Sequence, residues 1–524
     1  MKKLCILVGT SLLTQAVFAQ GPAVDYADDA FRYSDQVING TARFRGMGGN
    51  HAALGGDASS IFGNPAGLGF YNRSELSISP SLNLNRNESN YLGATTIGTK
   101  NNVSVGQFSL VLAGNNNNGS RRWRRSALGI SYSQSVNFNE LVDATGVNRN
   151  NNSSFTQEYL NDVNSNNVNS ADLDKEYDPN TNSTATGAGA AYQLFLINPT
   201  EYSNGSAGAP YTRPDNSPNL PLNQRATLTR TGAQSQWTIA YAGNLDDKLY
   251  IGGSLSLTRL RYSSDYTLTE YVIGGGAFNN YARNSRLDIT GNGINLALGI
   301  IYKLDPNLQV GATIQSPSWS GVREDYSQTL SAQYRAAAFD PHGINNISIN
   351  PQPTFNYSLT SPLRASGGVT YFVGKNRIGL ITATAEYVGY GGMRVRTTDF
   401  DSQGNTDFRN DVRLAVQDRY QNVVNFRAGA EVRAGLFRVR AGAGYLPSAY
   451  KLNLYRVSPN DRDKLLFTGG IGVRNERFFA DLSGSYYTFK TGFAPYELPS
   501  ASDTPTVLTN AQRTNLTLSI GTFF

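Results

Sequence analysis

The side chains able to do chemistry are few in this sequence, and their spacing is unhelpful to catalysis. There are two histidines, His51 and His342, and one cysteine, Cys5. Hydrolytic and acyl-transfer sites usually set a histidine base beside a serine. Serines are abundant here, so only the histidines discriminate, and they lie far apart. Each is read as a polar side chain rather than a base or an axial haem ligand; a Ser or Asp beside either would argue for an enzyme. Asp399, Asp401 and Asp407 partly follow a calcium loop, with Gly404 at the sharp turn. Gln403 and Asn410 stand where ligands are wanted, and Asn410 cannot replace a bidentate carboxylate, so an ordinary Asx-rich loop is the expectation. Asp172, Asp174 and Asp178 form a weaker acidic cluster of the same kind. The expectation is therefore no enzyme, no cofactor and no metal.

The densest basic patch is Arg121-Arg122-Trp123-Arg124-Arg125. Arginines flanking a tryptophan suit a membrane boundary, where the guanidinium snorkels and the indole anchors. Stacking aromatics are not interleaved with basic residues elsewhere, so no nucleic-acid partner is expected. The glycine runs at 46–49 and 274–276 lack the strand before them and the Lys-Ser/Thr helix after them that a phosphate loop needs.

The elements that must carry these residues read as strands. Only 16% of residues are charged, Gly numbers 53, and Tyr (30) plus Phe (24) far outnumber Met (3), a balance that favours strands and turns. The formal charge of +6 falls to near +4 without Lys2 and Lys3, too weak for a nucleic-acid surface. Residues 1–19 read as a cleaved export signal: Lys2 and Lys3, an apolar stretch over 4–13, and Val17-Phe18-Ala19 before Gln20. Cys5 leaves with it, which excludes disulfides from the mature chain. No later run is long and apolar enough for a transmembrane helix.

From near Leu76 to Phe524 period-two alternation recurs, as in Trp237-Ile239-Tyr241 and Phe437-Val439-Ala441. Connections at 244–248, 304–307, 374–377, 434–435 and 475–476 are minimal. Those at about 139–225, 263–285, 317–354, 391–420, 447–463 and 491–511 are long and polar. Strict alternation of short and long connections is what a transmembrane antiparallel β-barrel produces. Its backbone must be fully paired in lipid, so the sheet must close. We count fourteen strands, over 74–524, with a small N-terminal plug over 20–73 that lacks alternation. The Asn-rich stretch at 148–169 reads as a solvated loop without a core. Leu516, Leu518, Ile520 and Phe524 share one face of the last strand, the form of a C-terminal signal read by barrel-assembly machinery.

Arg45-Gly46-Met47-Gly48-Gly49, Ala52-Ala53-Leu54-Gly55-Gly56-Asp57 and Asn64-Pro65-Ala66-Gly67-Leu68 resemble the N-terminal plug of the FadL family of outer-membrane transporters, which includes the TodX-type aromatic-hydrocarbon channels. Ala127–Tyr132, Gly299–Lys303 with Gly311–Pro317, and Arg427–Glu431 with Arg438–Gly442 continue the likeness through the barrel. The resemblance implies a bacterial outer-membrane channel that takes up long-chain fatty acids or aromatic hydrocarbons passively. Substrate would enter past lipopolysaccharide, rest in an apolar pocket, and leave sideways as the hatch motif Asn64, Pro65, Ala66 and Gly67 shifts. The partners implied are hydrophobic small molecules, outer-membrane lipid and lipopolysaccharide. Some relatives serve instead as partners of a protein-secretion or adhesion machinery, and the long loops at 139–225 and 317–354 keep that alternative open.

Overall fold

Alternation of side chains along each strand has built a sheet whose outer face is apolar and whose inner face is polar. The computed structural model describes residues 20–115, 122–199, 202–203, 206–207, 210–214, 221–336, 343–349, 353–374 and 377–524. The export signal at 1–19, His342 and Arg121 fall outside the described residues.

Fourteen antiparallel strands form the wall: β1 (Glu75–Tyr91), β2 (Ala94–Asn115), β3 (Trp123–Asn137 and Glu140–Asn148), β4 (Leu222–Leu245) and β5 (Leu249–Val272). β6 (Phe278–Lys303), β7 (Leu308–Gln315 and Trp319–Tyr334), β8 (Phe355–Thr360 and Arg364–Val373) and β9 (Gly379–Val388 and Arg394–Thr397) follow. β10 (Val423–Ala434), β11 (Phe437–Leu446), β12 (Lys464–Arg474), β13 (Phe478–Phe493) and β14 (Val507–Phe523) complete it. The last strand pairs with the first, from Glu75 opposite Phe523 to Asn90 opposite Leu508. Closure leaves no free edge there, and the strand count is the one read from the alternation.

Along β5 the outward positions Ile251, Leu255 and Leu257 give way to Arg259, Arg261 and Asp265, all exposed. The inward positions Ser254, Ser256 and Thr258 are buried. Exposed Trp237, Ile239 and Tyr241 on β4 and Ile294, Leu296, Leu298 and Ile300 on β6 extend the apolar band around the barrel. So continuous a band on a closed barrel is a lipid-facing belt. The inner face is a lattice of small hydroxyls, such as Ser79 Oγ to Ser519 Oγ at 2.6 Å and Thr238 Oγ1 to Ser256 Oγ at 2.8 Å.

The strands run well past the belt on one side of the molecule, which corrects the reading of three long loops. Residues 263–285 are not a long loop: β5 and β6 continue through them and turn at 273–277. Likewise 139–148 and 319–334 are strand. Above lipid both faces of a strand meet water or polar neighbours, so the apolar contrast that marks a strand in sequence fades. The Asn-rich stretch also has a core. It carries α3 (Thr156–Ser165) and leads into α4 (Ser170–Glu176) and α5 (Gly187–Gln193), and its Phe155, Leu160 and Val163 are buried together with Leu173 of α4. These pack with Leu268 on β5, Tyr281 on β6 and Leu330 on β7, forming a folded cap at the long-loop end. The few apolar residues are spaced along helices, where composition alone hides them.

Inside the wall lies the N-terminal segment: α1 (Gln20–Arg32, placed ahead of α2), α2 (Ala42–Gly46), and single turns at Ala58–Ile61 and Pro65–Phe70. Inward glycines let its backbone approach the strands. A methyl on Gly311 would overlap the Ala52 carbonyl, one on Gly429 the Met47 carbonyl, and one on Gly252 the Pro65 backbone. At the long-loop end α6 (Ser402–Arg419) packs beside α1, and Arg419 Nε pairs with Asp28 at 3.1 Å.

Candidate functional site

A cavity of about 710 Å³ separates α1 from the wall. Its lining mixes ten aromatic side chains with six carboxylates and six cations, so its net charge is balanced. Tyr262, Tyr326, Tyr487 and Phe489 come from strands, Phe138 from the break within β3, and Tyr26 and Phe31 from α1. The charges are mostly paired. Glu140 on β3 accepts from Arg513 on β14 at 2.8 Å and pairs with Arg230 on β4. Arg32 pairs with Asp29 within α1, and Lys464 with Asp35. Paired ions behind aromatic rings make an amphipathic chamber, not the purely apolar pocket expected. The strand-borne charges are inward-facing interruptions of the hydroxyl lattice. That register is the signal by which sequence reasoning could have found Glu140, Arg230 and Arg513.

The chamber reaches a breach in the wall. β2 pairs with β3 only from Asn115 opposite Arg125 to Gln107 opposite Ser133. Beyond that point β2 keeps its ladder to β1 but has none to β3. A bulge at Gly106, between Ser79 and Pro80 of the partner, bends β2 at the same level. β3 breaks at 138–139, and its outer half turns inward behind the β1–β2 hairpin. There the Asn85 and Asn87 side-chain amides donate to the Asn139 carbonyl at 2.5 Å and the Leu141 carbonyl at 2.8 Å. Gly98 and Gly146 permit that crossing, since a methyl on either would overlap Leu141 or Tyr91 backbone. Among the described residues two side-chain hydrogen bonds join β2 to β3 beyond the ladder, Asn137 Nδ2 to Asn102 Oδ1 at 3.1 Å across the breach and Thr96 Oγ1 to the Asp143 carbonyl near the hairpin tip. Val103 and Val105, both exposed, continue the apolar belt on its β2 lip. A smaller space of about 120 Å³, lined by Ser104, Gln134 and Asn137, shares Val37, Asp35 and Arg513 with the large chamber.

Neither a family model nor a curated protein matches the sequence. Solved structures do match. The toluene transporter TodX of Pseudomonas putida is 12% identical, over 94% of this chain and 99% of its own, with a TM-score of 0.51. A FadL homologue of Pseudomonas aeruginosa is 10% identical, over 94% and 99%, with a TM-score of 0.53. A deltaS2 mutant of the TodX monoaromatic hydrocarbon channel is 13% identical, over 92% and 98%, with a TM-score of 0.52. The chain has the FadL-type fold.

In this FadL-type barrel the motif residues are firmly seated. Asn64 is fully buried and caps the turn Pro65–Phe70, its Oδ1 accepting from Ala66 N at 3.1 Å. Its amide donates to the Ala52 carbonyl at 2.6 Å, and to those of Ile300 and Ala312 on β6 and β7 at 3.3 Å. Gly67 packs against Ser60, and Pro65 and Ala66 against Gly252. Leu516, Leu518, Ile520 and Phe524 are exposed on the outer face, and Ser74 and Phe524 exchange backbone hydrogen bonds at the seam.

His51 is not isolated. Ser366 Oγ lies 3.2 Å from its Nε2, while its Nδ1 faces the Gly49 carbonyl at 3.2 Å. The nearby carboxylate, Glu386, is held by Arg364 and Arg427 instead. The adjoining space is only about 60 Å³, so this pair reads as a hydrogen bond between segment and wall. Asp401 caps α6 through Gly404 N at 2.7 Å, Asp399 accepts from Asn356 N at 2.7 Å, and Asp407 accepts from Gln403 at 2.9 Å. Asp399 and Asp401 thus serve the backbone and Asp407 a neighbouring side chain, and among the described residues no His, Cys, Asp or Glu group has a metal-binding arrangement. Asp172 pairs with Lys175 at 2.8 Å, and Asp178 closes its own turn through Asn180 N at 2.9 Å. Arg122 and Arg125 pair with Asp246 and Asp247 at the short-turn end, where Trp123 is half exposed.

Proposed function

We propose that the protein is a bacterial outer-membrane channel for passive uptake of hydrophobic compounds, released sideways through the breach between β2 and β3. The observation that carries this is the unpaired length of β2 beside an aromatic chamber, at a level where Val103 and Val105 still face lipid. Lateral exit spares an apolar solute the periplasmic water. The fold supports the reading, since the TodX and FadL-homologue structures share it. Because the chamber pairs aromatic rings with ions, we assign as substrates molecules with an apolar body and one polar end, such as long-chain fatty acids, with aromatic hydrocarbons as the second class. No catalysis is required. On this reading the export signal delivers the chain, the final strand's outward face addresses it to assembly machinery, and the short turns face the periplasm. Residues 20–73 act as the hatch. Since Asn64 is anchored to β6 and β7, motion belongs to 35–38, which line the breach, rather than to Asn64-Pro65-Ala66 itself.

The test is uptake of labelled oleate and a labelled alkylbenzene by deletion cells carrying the native chain or an Asn102→Cys/Asn137→Cys form. A short dithiol-reactive linker across that pair should abolish uptake, and cleaving the linker should restore it. Uptake that persists with the lips tied would refute lateral exit. One observation favours a second reading, a partner of a secretion or adhesion machinery: the folded cap gives the long-loop end a preformed surface. Correctly folded barrels that take up neither compound would favour it.

A further inference from the structure

A second chamber, of about 280 Å³, opens at the short-turn end and is separate from the first in both lining and charge. Four arginines from three adjacent strands line it: Arg433 on β10, Arg438 and Arg440 on β11, and Arg474 on β12. Lys303 and Arg377 face them from β6 and the β8–β9 turn, and Arg43 reaches in from α2. Glu431 is the one carboxylate in the lining. It accepts from Arg43 at 3.1 Å, Arg433 at 2.9 Å and Arg440 at 2.7 Å. Behind the wall Asp481 takes Arg440 at 2.6 Å, and Asp57 lies 3.7 Å from Arg43. Seven cations thus line the chamber against Glu431, with Asp481 and Asp57 on Arg440 and Arg43, Glu75 in electrostatic reach of Arg474 and Asp247 of Lys303, so positive charge is in excess among the described residues.

The remaining cations are held by neutral groups, which orient a charge without cancelling it. Lys303 Nζ donates to Tyr250 Oη at 2.5 Å, Arg377 to the Pro306 carbonyl at 2.6 Å, and Arg438 to the Gly435 carbonyl at 2.6 Å. The Arg474 guanidinium lies 4.5 Å from the centre of the Phe523 ring. Half-buried like charges in a concave, low-dielectric site repel one another and concentrate anions from solution. Guanidinium forks suit phosphate oxygens, and so many cations call for more than a single carboxylate. Gln309 adds a second requirement. It is buried in the same lining, its amide is spent on the Ala53 carbonyl, and its Oε1 lacks a hydrogen-bond partner among the described residues. The dianionic phosphate of an ester has no proton for that acceptor at neutral pH, whereas a free hydroxyl on the same molecule has.

We propose that this chamber binds a phosphate ester carrying a free hydroxyl, presented as a lipid headgroup or as a soluble metabolite. Its periplasmic placement rests on the channel reading; the binding itself does not, and is measured on purified protein whether or not uptake occurs. The probes are inorganic phosphate, glycerol 3-phosphate and short-chain phosphatidylglycerol, titrated calorimetrically into protein in uncharged detergent against chloride of equal ionic strength. Glycerol 3-phosphate should bind more tightly than inorganic phosphate. An Arg438→Gln/Arg474→Gln form should lose about tenfold or more in affinity, as expected for removing charge-assisted hydrogen bonds. Arg73→Gln, at the same rim but outside the chamber, should bind as the native chain does. Phosphatidylglycerol binding much more tightly than glycerol 3-phosphate assigns a lipid; equal affinities assign a soluble ester. Heat-modifiable gel migration checks that each variant is folded, and Lys303→Gln replaces the double variant if it is not. No binding beyond the chloride reference, or equal binding by native and variant proteins, overturns the proposal.

Discussion

At the residue scale, the contacts between the N-terminal segment and the wall are specific and buried, so single substitutions there should have large effects. Glu431 is the shared partner of Arg43, Arg433 and Arg440. Glu431→Gln keeps the shape but leaves buried cations uncompensated, which costs about 3–5 kcal/mol when one partner of a buried pair is removed. Urea unfolding of the barrel in liposomes should show that loss, and Arg43→Gln should recover part of it in the double variant. Gly299→Ala forces a methyl onto the Asn64 side-chain oxygen. We expect residues 50–70 to become protease-sensitive in the folded barrel, with the strands still protected. His51 supplies a pH dependence. Burial pushes its imidazole below the ordinary value of 6.5, so the folded protein prefers the neutral ring. The stabilisation is complete above that value and fades as pH falls through and below it, because the unfolded chain binds the proton more readily. Native protein should therefore lose unfolding free energy between pH 8 and pH 5 relative to His51→Gln. Parallel curves for the two would remove His51 as the cause.

At the element scale, each strand has two faces with different solvents. Leu296 on β6 points to lipid while Asn295 points inward and donates to Ser318 Oγ at 3.0 Å. Leu296→Arg should cost about 2–4 kcal/mol, the penalty for a cation near the bilayer midplane, and Arg259→Leu above the belt should cost little. Liposome unfolding of the two variants maps the belt's upper edge. The cap obeys soluble-protein rules. Phe155→Ala removes a fully buried ring between α3 and β6, and should destabilise by about 3–5 kcal/mol. Hydrogen exchange should rise in α3 to α5 while the β4–β5 ladder stays protected. The cap is also where composition misled. Its Asn content suggests a solvated loop, yet Leu160 and Val163 sit three residues apart on one helix and reach the same core. The Asx residues serve as caps, as Asn169 does for Ala171 N at 3.0 Å.

At the scale of the whole molecule, the sequence by itself determined a great deal: a closed barrel, fourteen strands between Glu75 and Phe523, and an apolar exterior. These are sums of local properties. Period-two alternation is written in neighbouring residues, short turns declare themselves by Asn, Asp and Gly, and closure follows because no strand edge is tolerated in lipid. The 3.2 Å approach of Ser366 to His51 was not legible, because the two lie 315 positions apart. Only the tertiary structure decided where the wall is breached, which strands outrun the belt, and how charge divides between a balanced chamber and a basic one. Those features arise between residues far apart in the chain. Arg513 and Glu140 meet across 373 positions, and Arg43 and Glu431 across 388. The breach needs a bulge at Gly106, a break at 138–139 and glycines at 98 and 146 to coincide in space. No one of these is unusual on its own strand; the closed sheet sets them side by side.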